Sequence, residues 1–130
     1  MAITVPTVDT EISASAFGKP VADWINAYTP TTWTNGVLQN SWVTFPGYQP
    51  AQYRKVGDMV QVRGVIAYGT LNALAFVLPS GYRPILPMII PALSGSLVAV
   101  LIINADGSVI PQVGKTNDWF TLAAAFSVLP

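Results

Sequence analysis

The side chains that most often carry out catalysis are scarce in this sequence. It has no His and no Cys, so the commonest general base, the commonest metal ligand and a thiol nucleophile are all missing. Hydrolysis of a polysaccharide would instead need two carboxylates that face each other across a cleft. The acidic residues are Asp9, Glu11, Asp23, Asp58, Asp106 and Asp118. No two of them form an evident pair, so we expect a protein that is not an enzyme and holds no cofactor.

Three residues of one short segment offer oxygen atoms to a cation. Asn104, Asp106 and Ser108 alternate in the stretch INADGSV, and calcium binding needs several converging oxygens. The same residues are typical of a hairpin turn, in which the Asp side chain bonds the backbone two residues on. The turn accounts for them without a ligand, so we expect no metal site.

Aromatic side chains are the other candidates for binding, because the faces of exposed Trp and Tyr rings can stack on sugars. Trp33, Trp42 and Trp119 lie in the part of the chain that is predicted to be β-structure, and they are the candidate saccharide contacts. Aromatic residues are also favoured in strands for packing alone, so the alternative for each is a place in the core or in an interface. Arg54 and Lys55 are adjacent, and we expect them at a solvated strand end.

Charge is unusually sparse along the chain. Charged residues make up 9% of the sequence, against about 25% in typical domains, while hydrophobic residues make up 52%. The 6 basic and 6 acidic residues balance, which argues against partners such as nucleic acid or a membrane surface. A domain of 130 residues leaves much of its surface exposed. We therefore expect a homo-oligomer or a larger assembly to bury part of that surface, with an uncharged monomer as the alternative.

Residues 1–30 are predicted to form an attachment and oligomerisation segment. Residues 1–12 form an extended arm, and a short helix follows that ends at Thr29-Pro30, because the residue before a proline is driven out of the helical region. The apolar arm residues are Ile3, Val5, Val8 and Ile12, and one helix stripe contains Phe17, Val21, Trp24, Ile25 and Tyr28. This stripe packs either on its own domain or on other copies around an oligomer axis.

From residue 31 the pattern changes to β-structure. Turns rich in Gly, Pro and Asn, such as Asn35-Gly36, separate short strands. The strand candidates are Val37–Phe45, Ala51–Val56, Met59–Tyr68, Leu74–Leu78, Pro87–Leu93, Leu97–Asn104, Ser108–Val113 and Asp118–Val128. In Met59–Tyr68 the alternation is clearest, and it places Gln61 and Arg63 on one face. About eight such strands predict a mainly β fold over residues 31–130, an antiparallel β-sandwich that is jelly-roll-like.

Four motifs in a fixed order resemble a module of tailed-bacteriophage structural proteins. They are YRKVGDMVQVRGVI (53–66), LPSGYRP (78–84), INADGSV (103–109) and the terminal strand DWFTLAAAFSV (118–128). Residues 3–26 also resemble the start of short virion proteins of phages that infect Gram-positive bacteria. Modules of this kind form small head decoration or head-fibre proteins, minor tail proteins and the tips of tail fibres.

The resemblance implies a homotrimer of jelly-roll-like domains on the virion surface. Our first hypothesis is a capsid decoration or short head-fibre protein, bound to the major capsid protein or another virion protein through Ile3, Val5, Pro6, Val8 and Ile12. The helix stripe would join the subunits. The sequence has no collagen-like or heptad repeat for a long shaft, which favours a small protein directly on a capsid or tail surface over the tip of a long fibre. Of the two surfaces, we expect the head rather than the tail. The alternative is a minor tail or receptor-binding protein whose β domain binds a host cell-surface saccharide.

Overall fold

The computed structural model describes residues 29–130, and Thr31–Pro130 form one compact unit. The predicted arm, with Ile3, Val5, Pro6, Val8 and Ile12, lies outside the described residues. So does the predicted helix stripe of Phe17, Val21, Trp24, Ile25 and Tyr28. The division at residue 30 and the roles of these two segments therefore stay predictions. Between residues 29 and 130 there is no helix long and apolar enough to cross a membrane.

Nine antiparallel strands make up the described part of the chain. They are β1 (Thr34–Asn35), β2 (Val43–Thr44), β3 (Gln52–Val56), β4 (Met59–Ala67), β5 (Phe76–Val77), β6 (Met88–Ser94), β7 (Leu97–Ile103), β8 (Ser108–Val113) and β9 (Phe120–Ser127). They form one sheet in the order β1-β3-β4-β9-β6-β7-β8-β5, and β2 pairs with β4. In the ladder that joins β6 to β9, one residue pair is in register, Ser94 with Phe120. The sheet curls around one core, as in a β-sandwich, and the predicted mainly β class is confirmed.

The core is built from the inward residues of alternating strands. On β4, Val60, Val62 and Ile66 are almost fully buried, while Gln61, Arg63 and Val65 face outward. Trp42 fills the centre, with its ring 6.0 Å from that of Phe120 in an edge-to-face arrangement. Its indole N–H donates to the Thr70 carbonyl at 3.2 Å, so the polar end of the ring is satisfied inside the protein.

Two local predictions are wrong in the segment that precedes β3. Val37–Phe45 does not form one strand, because its middle turns at Asn40 and Ser41, which both have positive φ, and only Val43–Thr44 pairs with β4. Asn35-Gly36 does not form a hairpin turn either. Asn35 is part of β1, and the Gly36 amide donates to the Ala51 carbonyl, so this segment lies along β3.

Candidate functional site

The registers of three strands bring a set of polar residues onto one outward face. Asn35 of β1 lies opposite Gln52 of β3, and Gln52 lies opposite Arg63 of β4. Two residues further along, Arg54 lies opposite Gln61. Because side chains alternate along a strand, these residues share the face opposite the buried valines of β4. We call the group formed by Trp33, Asn35, Gln49, Gln52, Arg54, Gln61 and Arg63 the Trp33 cluster.

Two guanidinium groups contact the Trp33 ring. The guanidinium carbon of Arg63 is 3.8 Å from the ring centroid, and that of Arg54 is 4.5 Å from it. Trp33 is half-buried, as are both arginines. The negative face of an indole ring attracts cations, so these contacts hold the charged groups in place at the surface.

A chain of amide side chains orients the two arginines. The Gln52 Oε1 atom accepts from Nε and Nη2 of Arg63, at 3.0 and 2.7 Å, and from Gln49 at 3.0 Å. Gln52 Nε2 donates to Asn35 Oδ1 at 2.7 Å. Arg54 Nε donates to Gln61 Oε1 at 2.7 Å. Each arginine is therefore fixed by a neutral acceptor and keeps its full charge.

Among residues 29–130, no neighbouring acid neutralises the charge of the cluster. In the described part of the chain, no carboxylate forms an ion pair with Arg54 or Arg63. The cations of residues 31–130 are Arg54, Lys55, Arg63, Arg83 and Lys115, and the anions are Asp58, Asp106 and Asp118. The β domain thus has an excess of positive charge, and two of its five cations lie in the Trp33 cluster.

The structure separates the three tryptophans proposed as saccharide contacts. Trp33 lies on the outward face, but Trp42 is only 2% exposed and its ring cannot reach a ligand. Trp119 is half-buried just before β9, where its carbonyl accepts from the Gly95 amide. Within residues 29–130, no ring or cation contact joins Trp119 to the Trp33 cluster. The three rings therefore do not form a common stacking surface.

The segment weighed as a calcium loop is a hairpin turn between β7 and β8. Asp106 Oδ1 accepts from the Ser108 hydroxyl at 2.6 Å and from the Ser108 amide at 2.9 Å. Asn104 Nδ2 donates to Ser108 Oγ at 3.1 Å. These hydrogen bonds from Ser108 lower the pKa of Asp106. The Asp106 carboxylate and the Ser108 hydroxyl thus stabilise the turn itself.

A second outward face is apolar. Cross-strand pairs Ile89–Ile102, Pro91–Val100 and Leu93–Val98 cover the outside of β6 and β7. Ile89 and Val98 are each 77% exposed. With Thr121 of β9, part of this β6–β7 face forms a shallow depression. In the sequence, the run Leu97–Ile103 has no polar residue, so its pattern does not show which side chains point outward.

The curled antiparallel sheet is similar in fold to a solved phage protein. The structure is similar to that of the receptor binding protein gp15 of Listeria phage PSA, with a TM-score of 0.68. The match covers 98% of this chain and 83% of that chain, at 18% sequence identity. No protein-family model and no curated protein matches the sequence. The resemblance to virion proteins of phages of Gram-positive bacteria is thereby confirmed at the level of the fold.

Proposed function

We propose that this chain is a virion surface protein of a tailed phage that recognises a saccharide on the host cell surface. The observation that carries the proposal is the fold shared, over nearly the whole chain, with a phage receptor binding protein. This likeness supports a location on the tail rather than on the head, and so favours the alternative drawn from the sequence over capsid decoration.

The mechanism is binding without chemistry. The sequence lacks His and Cys, and two of the three acids of the β domain are engaged locally. Asp106 accepts hydrogen bonds from Ser108, and Asp118 accepts one from the Trp119 amide at 2.8 Å. A fixed face of amides, arginines and one indole is instead suited to hold a polar ligand with little loss of side-chain entropy. No cofactor or metal is needed for this role.

Self-association is part of the proposal. The β6–β7 face exposes apolar side chains without a charged residue among its three cross-strand pairs, and contiguous apolar surface on a small domain favours burial against a partner. We propose that the partner is another copy of the chain, in a homotrimer. The arm residues named above would attach the assembly to another virion protein.

Particle imaging and competition test the function together. Antibody-gold labelling should place the protein on the tail, and the purified full-length chain should bind host cells and reduce phage adsorption. Heat-denatured protein is the control. Labelling over the whole head, with no effect on adsorption, would overturn the proposal and restore capsid decoration.

Saccharide binding is tested with the tryptophan variants. Trp33→Ala should weaken binding to purified host cell-wall glycan, while Trp119→Ala, outside the cluster, should bind like the unmodified protein. Trp42→Ala is unsuitable, because removing a core ring costs about 3–5 kcal/mol of stability. Equal binding by all surface variants would contradict a role for Trp33.

A further inference from the structure

The two arginines of the Trp33 cluster form a concentrated positive charge. Both guanidinium carbons lie within 4.5 Å of the same ring centroid, so they are less than about 9 Å apart, a distance at which like charges repel. Each is half-buried, which reduces the screening of that repulsion by water. Among residues 29–130 no carboxylate lies between the two groups, so a bound anion would relieve a repulsion that the neutral Trp33 ring and glutamines do not cancel.

The arginines also keep unused hydrogen-bond donors. A guanidinium has five N–H groups on three nitrogens. Arg54 uses only Nε toward Gln61, and Arg63 uses Nε and Nη2 toward Gln52. Within residues 29–130, both terminal nitrogens of Arg54 and Nη1 of Arg63 thus lack a protein acceptor. The neutral glutamines orient the two guanidinium groups without cancelling their positive charge.

We infer that the Trp33 cluster is the saccharide site and that the saccharide it binds is anionic, with a phosphate or carboxylate held between Arg54 and Arg63. Guanidinium groups bind such oxyanions through paired, charge-assisted hydrogen bonds. The Trp33 ring holds the two guanidinium groups in place. The amides of Gln49 and Asn35 lie in the same cluster, where they can contact the hydroxyls of the sugar. The inference rests on the proposed function, since it specifies the ligand of that function.

A neutral sugar fits the cluster less well. Stacking on a neutral sugar needs a free ring face, and two guanidinium groups already lie against the Trp33 ring. The remaining donors carry positive charge, so a neutral hydroxyl would gain far less from them than an oxyanion. Specificity for an anionic sugar therefore follows from the arrangement around the indole ring.

Nuclear magnetic resonance with defined probes tests the site. The full-length ¹⁵N-labelled chain is titrated with glucose 6-phosphate, glucuronic acid, glucose and inorganic phosphate. The two anionic sugars should shift the side-chain Nε–Hε signals of Arg54 and Arg63, and binding should weaken as ionic strength rises. Arg63→Gln should lower the affinity for the anionic sugars about tenfold or more. Arg63→Lys should recover only part of it, because the ammonium lacks the fork of donors.

Lys115→Gln is the matched control, since it removes one exposed positive charge outside the cluster and should leave binding unchanged. Equal binding of glucose, or unchanged affinity in Arg63→Gln, would overturn the inference. Inorganic phosphate that binds as tightly as glucose 6-phosphate would also overturn it, because the sugar would then contribute nothing. Failure of the proposed function looks different: the anionic sugars still shift the arginine signals, but the chain neither binds host cells nor reduces adsorption.

Discussion

The guanidinium carbon of Arg63 lies 3.8 Å from the centroid of the Trp33 ring, although β3 separates the strand next to Trp33 from the strand that carries Arg63. The indole therefore reaches across β3 and ties the edge of the sheet to β4. A contact of this kind contributes about 0.5–1 kcal/mol at an exposed site and more where water is excluded.

This contact predicts energetic coupling between the two residues. In a double-mutant cycle with Trp33→Ala and Arg63→Ala, urea unfolding should give a coupling free energy of about 1 kcal/mol. The cycle of Trp33→Ala with Lys115→Ala, which are not in contact, should be additive within about 0.5 kcal/mol. Additive behaviour in the first cycle would show that the Trp33–Arg63 contact has no net stabilising effect.

The close approach of Gly69 to Trp42 predicts a large effect of a single methyl group. A Cβ atom at Gly69 would lie 1.9 Å from the Trp42 ring, which is held between the core and the Thr70 carbonyl. Gly69→Ala should therefore cost about 3 kcal/mol or more in urea unfolding. Gly47→Ala is the comparison, because Gly47 has a positive φ but no atom near the added methyl, so backbone strain alone should cost about 1–2 kcal/mol. Equal losses in the two variants would mean that the ring moves aside freely.

Much of the β domain can be predicted from the sequence. All strands from β3 to β9 match the predicted ranges within two residues at each end, because alternation or an apolar run marks them. The turn at Asp106-Gly107 is also correct. The exceptions precede β3, where the short strands β1 and β2 depend on pairing with distant strands and not on local pattern.

The candidate site is less visible in the sequence. The alternation in β4 correctly places Gln61 and Arg63 on one face, but nothing local indicates that Trp33 lies over Arg63, since this depends on the registers of β1, β3 and β4. From the sequence alone, Trp33 and Trp42 are equally good candidates for a ring at the surface. Only the tertiary fold buries one of them, because Trp42 follows the turn at Asn40 and Ser41 that directs it inward.

The stability of the junction between β6 and β9 should depend on the hydrogen bonds of Ser94. Its fully buried hydroxyl accepts from the Lys115 amide at 2.7 Å and donates to the Lys115 carbonyl at 3.1 Å. Ser94→Ala leaves both backbone groups without this partner and should lower the free energy of unfolding by about 1–3 kcal/mol. The exposed Ser96→Ala should change it by less than about 0.5 kcal/mol. If both variants unfold at the same urea concentration, another group satisfies the Lys115 backbone.

The hairpin turn at Asp106 predicts a dependence of stability on pH. Hydrogen bonds from the Ser108 hydroxyl and amide lower the pKa of Asp106 below its value in the unfolded chain. The unfolded chain therefore takes up the proton first, and the stabilisation is complete above the unfolded pKa and disappears as the pH falls through the lower folded value. Acid titration of thermal stability in Asp106→Asn should be flatter than in the unmodified protein over this range. Asp58→Asn is the control, because it removes the same charge from another turn. If the profile of Asp106→Asn were identical to that of the unmodified protein, stability would not depend on the protonation of Asp106.

If copies of the chain associate through the apolar β6–β7 face, a charged side chain introduced there should weaken the association. Val98 is 77% exposed in the single chain, so a charged side chain there is tolerated by the fold but is costly once a second copy covers it. Val98→Asp should thus retain the unfolding free energy of the isolated domain and reduce the mass measured by light scattering toward that of one chain. Val37→Asp is the control, since Val37 is 78% exposed and lies in the segment between β1 and β2, outside β6 and β7. If Val98→Asp keeps the mass of the unmodified protein, the copies associate through another surface, and the predicted helix stripe of Phe17, Val21, Trp24, Ile25 and Tyr28 becomes the next region to change.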